Sequence, residues 1–223
     1  MASARSMILQ ALLIAAALVA AAPRVLSDPP PLQDFCVADL KAATAVDGFP
    51  CKAPSTVADD DFFSDAMVAA PRTDPNPPGV NSTRATVSAF PGLNTLGLSI
   101  TRTDLAPGGL NPPHSHPRGS ELVLVLEGEV MVGFTSAANR LYSKVVKKNE
   151  LYVVPRGLQH FQLNVGKGDA VFMAMFDAQS PGLVTPTLGL FAAKPAMSME
   201  VLTKTFLMGE DEVSAMKSKF AGF

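Results

Sequence analysis

Basic clusters are missing from this chain. Its 223 residues include 18 Lys and Arg against 20 Asp and Glu, a net charge of −2, with no run of five or more basic residues. That excludes the electrostatic footprint of a nucleic-acid binder. Long apolar runs are missing too once the start of the chain is set aside. No later segment has eighteen consecutive apolar residues, so none can span a bilayer as a helix. There is no internal repeat and no Rossmann or P-loop pattern, which argues against a nucleotide fold. Cysteine is limited to Cys36 and Cys51, and histidine to His114, His116 and His160.

The start of the chain has the layout of a secretory signal. Arg5 is followed by an apolar run, broken only by Gln10, that ends at Ala22. Ala11 to Ala22 is too short to cross a bilayer comfortably, and small residues and prolines follow. Cleavage is expected after Ser27, with a cut near Ala22 as the alternative. Removing residues 1–27 leaves about 196, which suits one domain with a sizeable core. Charged residues make up only 17% of the chain and hydrophobic ones 48%, so further surface is expected to be buried in an oligomer. An oxidising compartment favours a bridge between Cys36 and Cys51. Closing that loop is worth roughly 3 kcal/mol in the chain-entropy model. Asn81-Ser82-Thr83 is the one glycosylation sequon without an intervening proline, and it is expected to be exposed and glycosylated.

Composition shifts divide the remainder. Residues 28–84 read as an irregular extension in which Phe35 to Val46 is expected to form a short helix. The prolines from Pro71 to Pro78 exclude regular structure there. Leu96, Leu98 and Ile100 alternate with polar or small residues and predict a strand. Further apolar runs follow at Leu122 to Leu126, Val130 to Phe134, Leu141 to Val146, Leu151 to Val154, Gln159 to Val165 and Ala170 to Phe176. Turn signals separate them, a rhythm that predicts an all-β sandwich or barrel over residues 85–200. Residues 201–223 end in a helical pattern of Val213, Met216 and Phe220, read as packing rather than chemistry.

The histidines carry the chemistry. His114 and His116 are separated by one residue, and on an extended chain alternate side chains share a face. Pro112 and Pro113 exclude a helix. The bend at Pro117-Arg118-Gly119-Ser120 returns Glu121 at the start of the next strand. His160 lies on the Gln159 to Val165 strand, with Gln162 and Asn164 on its side and Phe161, Leu163 and Val165 on the other. A barrel can bring that strand beside the first pair, giving three neutral nitrogen donors and one anionic oxygen. Such a set suits zinc, copper, iron or manganese alike.

Two longer motifs resemble the germin and germin-like branch of the cupins. One is Gly109-Leu110-Asn111-Pro112-Pro113-His114-Ser115-His116-Pro117-Arg118-Gly119-Ser120-Glu121. The other is Pro155-Arg156-Gly157-Leu158-Gln159-His160-Phe161-Gln162-Leu163-Asn164. The similarity extends over nearly the whole mature chain. It implies a cupin β-barrel and a manganese ion on His114, His116, Glu121 and His160, with iron as the rival metal. It also implies a disulfide-bonded N-terminal segment, a homohexamer built as a trimer of dimers, and secretion to the plant apoplast or cell wall. One departure is Asn149, where the family usually has glycine; asparagine tolerates the positive φ such a turn needs.

Within that family some members are reported as superoxide dismutases, and the true germins are oxalate oxidases. Thr101 stands where true germins carry an asparagine thought to hold the diacid, while Asn94 is retained as a second candidate substrate contact. Dismutase activity on superoxide, producing hydrogen peroxide and serving plant defence, is therefore expected ahead of oxalate oxidation. A non-catalytic metal-binding wall or receptor-like protein is the alternative.

Overall fold

The computed structural model describes residues 33–45, 48–68 and 78–222. The expected signal segment and most of the proline-rich loop lie outside these residues. Among the described residues, nine strands form two antiparallel sheets that face each other as a cupin jelly-roll. In space, β1 (Val80–Ala85), β2 (Ser99–Leu105), β9 (Ala170–Phe176), β4 (Glu121–Glu127) and β7 (Leu151–Val154) make the larger sheet. The smaller sheet is ordered β3 (Leu110–His114), β8 (Gln159–Asn164), β5 (Glu129–Thr135) and β6 (Leu141–Lys147). The sheet thus begins at Val80, ahead of the barrel boundary expected at residue 85.

Alternation explains the core. Val123 and Val125 of β4, Val130 and Val132 of β5, and Phe172, Ala174 and Phe176 of β9 point between the sheets and are buried. Val146, Val154, Leu105 and Ala170 close the same cluster. β-Branched residues fit these pleated positions, and burial of a side chain such as Phe172 contributes about 1.5–3 kcal/mol. β8 alternates as expected, but its buried face is His160, Gln162 and Asn164, so this part of the interior is polar.

Asn149 has φ 65° in the turn between β6 and β7, and the left-handed turn survives without glycine. Three helices follow the barrel: α1 (Pro186–Phe191), α2 (Met199–Phe206) and α3 (Glu210–Lys219). They bury Phe191, Leu202 and Val213 in a separate small core, with Met216 and Phe220 packed on it. No helix among the described residues is long and apolar enough to cross a membrane.

Two expectations are corrected. The described residues from Phe35 to Ala45 form no helix; Ala38 instead bridges Cys51, and its N–H donates to the Pro91 carbonyl at 3.0 Å. Pairing across the Cys36–Cys51 disulfide satisfies this backbone better than local helix bonds would. The strand expected at Leu96 begins only at Ser99, because Thr95 and Gly97 take positive φ in a turn. Leu96 and Leu98 are exposed, and the inward face of β2 is made by Ser99, Thr101 and Thr103.

Candidate metal centre

β3 is an edge strand, where Pro112 and Pro113 are tolerated because no neighbour needs their N–H. They shift the β3–β8 register between Asn111 and His114, and His114 then sits directly opposite His160. Chain continuation carries His116 inward beside Phe176, with ring centroids 4.6 Å apart. After the bend, Glu121 opens β4 between Phe176 of β9 and Val154 of β7. All four side chains are buried, and their ligand atoms lie within 4.8 Å of one another.

Each imidazole is held by its other nitrogen. His114 Nδ1 donates to the Pro112 carbonyl at 2.8 Å, His160 Nδ1 to Leu158 at 2.9 Å and His116 Nδ1 to Gly182 at 2.5 Å. A carbonyl only accepts, so the proton belongs on Nδ1 and each neutral ring turns a bare Nε2 lone pair inward. Gln162 Nε2 donates to Glu121 Oε1 at 3.2 Å, and Asn111 Nδ2 donates to Gln162 Oε1 at 2.8 Å. This relay leaves Glu121 Oε2 facing the rings, 2.7 Å from His160 Nε2 and 3.3 Å from His116 Nε2.

That arrangement sets lone pair against lone pair. Glu121 Oε2 and His160 Nε2 are buried and lack a hydrogen-bond partner, a costly state unless something positive lies between them. A proton on a ring can serve; a divalent cation serves all four atoms at once. The donor set therefore fits a metal ion. Burial, with the like charge of His160 added, lowers the His114 pKa to about 4, so that ring is neutral at pH 7. Burial pushes the Glu121 carboxyl upward, but hydrogen bonds from His116 and His160, made when those rings carry a proton on Nε2, outweigh that and bring it to about 2.

Beside these ligands lies a cavity of about 40 Å³ lined by Ser82, Arg84, Thr101, Asn111, Phe172 and Phe176 among others. It adjoins an outer space of about 220 Å³ bounded by Thr86, Ser180, Pro181, Gly182 and Leu183. Thr101 lines both. Asn94 does not reach them. Its side chain is fully buried at the N-terminal segment, where Nδ2 donates to the Phe49 carbonyl at 2.9 Å and to Cys36 Sγ at 3.3 Å. Its place at the end of a tight turn, next to Thr95 at φ 66°, aims it toward the disulfide. Asn81 is half-buried on β1 rather than exposed in a loop, on the strand face opposite Ser82 and Arg84.

The cupin family profile matches residues 67–214. Germin-like protein 1-2 of Oryza sativa subsp. japonica is 77% identical over 100% of both chains. The chain belongs to the germin-like cupins. Germin-like protein subfamily T member 2 of Arabidopsis thaliana is 50% identical, covering 89% of each chain. A solved oxalate oxidase in complex with the substrate analogue glycolate superposes on this germin-like fold with a TM-score of 0.84. It is 47% identical, covering 87% of this chain and 98% of that one. Peruvianin-I, described as a cysteine peptidase from Thevetia peruviana latex, matches with a TM-score of 0.67 and 44% identity, covering 70% of this chain and 96% of that one.

Sequence reasoning missed Asn111, Gln162 and Gly182 as supports of the site. Gln162 was legible as sharing the His160 face; Asn111 and Gly182 carried no local signal. Gly182 has φ 73°, and a Cβ there would lie 2.9 Å from the Arg118 guanidinium and 3.1 Å from Pro117. Gly182→Val is therefore expected to displace the carbonyl that orients His116 and to weaken metal affinity by about ten- to a hundredfold. A competitive chelator titration measures it, and an unchanged affinity would contradict the orienting role.

Proposed function

We propose that this chain is a secreted, manganese-binding germin-like protein of the plant apoplast or cell wall that dismutates superoxide and serves plant defence. The facing pair of Glu121 Oε2 and His160 Nε2, within a cage of three imidazoles and one carboxylate, is the observation that carries the metal reading. Four protein ligands on an ion that prefers six leave positions for small molecules, and manganese accepts a mixed nitrogen and oxygen set. Affinity order alone favours other metals, so manganese rests on the family resemblance, with iron as its rival.

When bound, the ion supplies a one-electron couple. His114, His116 and His160 would hold it as neutral donors, and Glu121 would offset part of its charge. Phe172, Ala174 and Phe176 wall the cavity with apolar surface, while Thr101 and Ser82 present hydroxyls. Overall, one superoxide loses an electron to become dioxygen. A second gains it and, with two protons from solvent, becomes hydrogen peroxide.

Oxalate oxidation is the second reading, favoured by the superposition on oxalate oxidase. Thr101 on the cavity wall weakens it, because a hydroxyl replaces the amide expected to hold a diacid. Thiol-peptidase chemistry has no nucleophile here, since the two cysteines of the chain form the disulfide.

The apolar leader and the Cys36–Cys51 disulfide support export. Exposed Leu122, Leu151 and Val153 on the outer face of the larger sheet support assembly into the homohexamer. Glycosylation of Asn81 belongs to the same proposal.

The test is to measure superoxide dismutation and oxalate oxidation on one manganese-loaded preparation beside His116→Ala. Dismutation present in the parent and lost in the variant is expected. Equal rates in the two proteins would remove the enzymatic reading.

A further inference from the structure

We infer that Arg84 is an anion-recruiting residue at the mouth of the metal cavity, selecting small anions as ligands for the site. This rests on the metal-site reading above and adds to it the residue that draws the anion in.

β1 is the outermost strand of the larger sheet, and Arg84 pairs across it with Thr101, as Ser82 does with Thr103. By alternation Ser82 and Arg84 share the inward face, and both line the inner cavity. Arg84 also lines the outer space, together with Thr101, His116, Phe176 and Leu183. Its side chain is exposed at the rim, so the guanidinium stands where an incoming molecule passes from solvent toward His116.

Charge makes that position selective. Among the residues lining the two spaces, Arg84 is the one cation and Glu121 the one anion. The Arg84 side chain has no hydrogen bond or ion pair with any described residue, whereas the side chains of Arg102, Arg118 and Arg156 all have partners. A divalent ion beside Glu121 leaves the cavity with an excess of positive charge, and Arg84 extends that field outward. Low-dielectric walls of Phe172, Phe176 and Leu183 focus it. An unpaired guanidinium offers a fork of N–H donors to an oxyanion. The cavity of about 40 Å³ restricts the occupant to an anion of a few atoms.

The probe is azide, titrated into manganese-loaded protein and followed by electron paramagnetic resonance, after metal content has been measured for each variant. Arg84→Gln is expected to weaken azide about tenfold, Arg84→Glu by more, and Arg84→Lys to recover part of the loss. Raising ionic strength should weaken azide in the parent and much less in Arg84→Gln. Metal content and melting temperature should be unchanged, since Arg84 touches no ligand. Equal azide affinity in all four metal-loaded proteins overturns the role of Arg84. A parent chain that takes up no metal overturns the metal-site reading on which it rests.

Discussion

Replacing His160 with alanine is expected to lower manganese or iron affinity by more than about a hundredfold, while leaving the barrel folded. His160 sits in the middle of β8, 1% exposed, with Nε2 only 2.7 Å from the carboxylate of Glu121. Alanine removes one of four ligands and opens a hole that water can occupy, so three donors must hold the ion without the fixed lone pair. The metal-free protein should be affected much less, because the change also removes a buried atom that lacked a partner. The two states therefore separate the effects. Metal at a thousandfold above its dissociation constant stabilises the parent by about 4 kcal/mol, and that increment should fall to about 1.4 kcal/mol or less in His160→Ala. Calorimetry with and without metal measures it. A variant that still gains the full increment would show that the ion is bound elsewhere.

Acid is expected to destabilise the metal-free protein over a defined window. The His114 pKa falls from 6.5 to about 4 on folding because its ring is buried. The unfolded chain therefore takes up a proton at this site that the folded chain refuses. Stability accordingly falls as pH drops from 6.5 toward 4 and levels off below. Glu121 moves from 4.5 to about 2, so its contribution is complete above 4.5 and lost as pH falls toward 2. Both losses run in the same direction. Each tenfold change in proton affinity is worth roughly 1.4 kcal/mol, so the combined loss is large enough to measure. Bound metal competes with these protons and should move the decline to lower pH. Melting temperatures across this range, with and without metal, provide the measurement. His114→Asn should flatten the upper part of the curve. A metal-free protein that became more stable between pH 6.5 and 4 would contradict a buried neutral ring at position 114.

The clustering of His114, His116, Glu121 and His160 was legible because alternation sets the face of each residue and the family resemblance joins their strands. An alternating pair beside two prolines, a carboxylate at the next strand start and an inward-facing histidine each need only strand periodicity. The run of short strands was legible for the same reason, while the φ 65° turn at Asn149 followed from the family resemblance and from asparagine's tolerance of positive φ. What failed depended on contacts between distant segments. Leu96 and Leu98 have strand-like alternation, yet the turn through Thr95 and Gly97 turns them to solvent, and β2 presents hydroxyls inward instead. Asn94 resembles a site residue in sequence but answers to Cys36 and Phe49, 58 and 45 positions away. Gly182 supplies its carbonyl to His116 from 66 positions downstream. No periodicity encodes such a partner.

Pro112 and Pro113 have an effect beyond the imidazole that the Pro112 carbonyl orients. The border they form on the smaller sheet carries a proline nitrogen where another extended chain would look for an amide hydrogen to add itself there. Edge-to-edge pairing of copies is disfavoured at that margin.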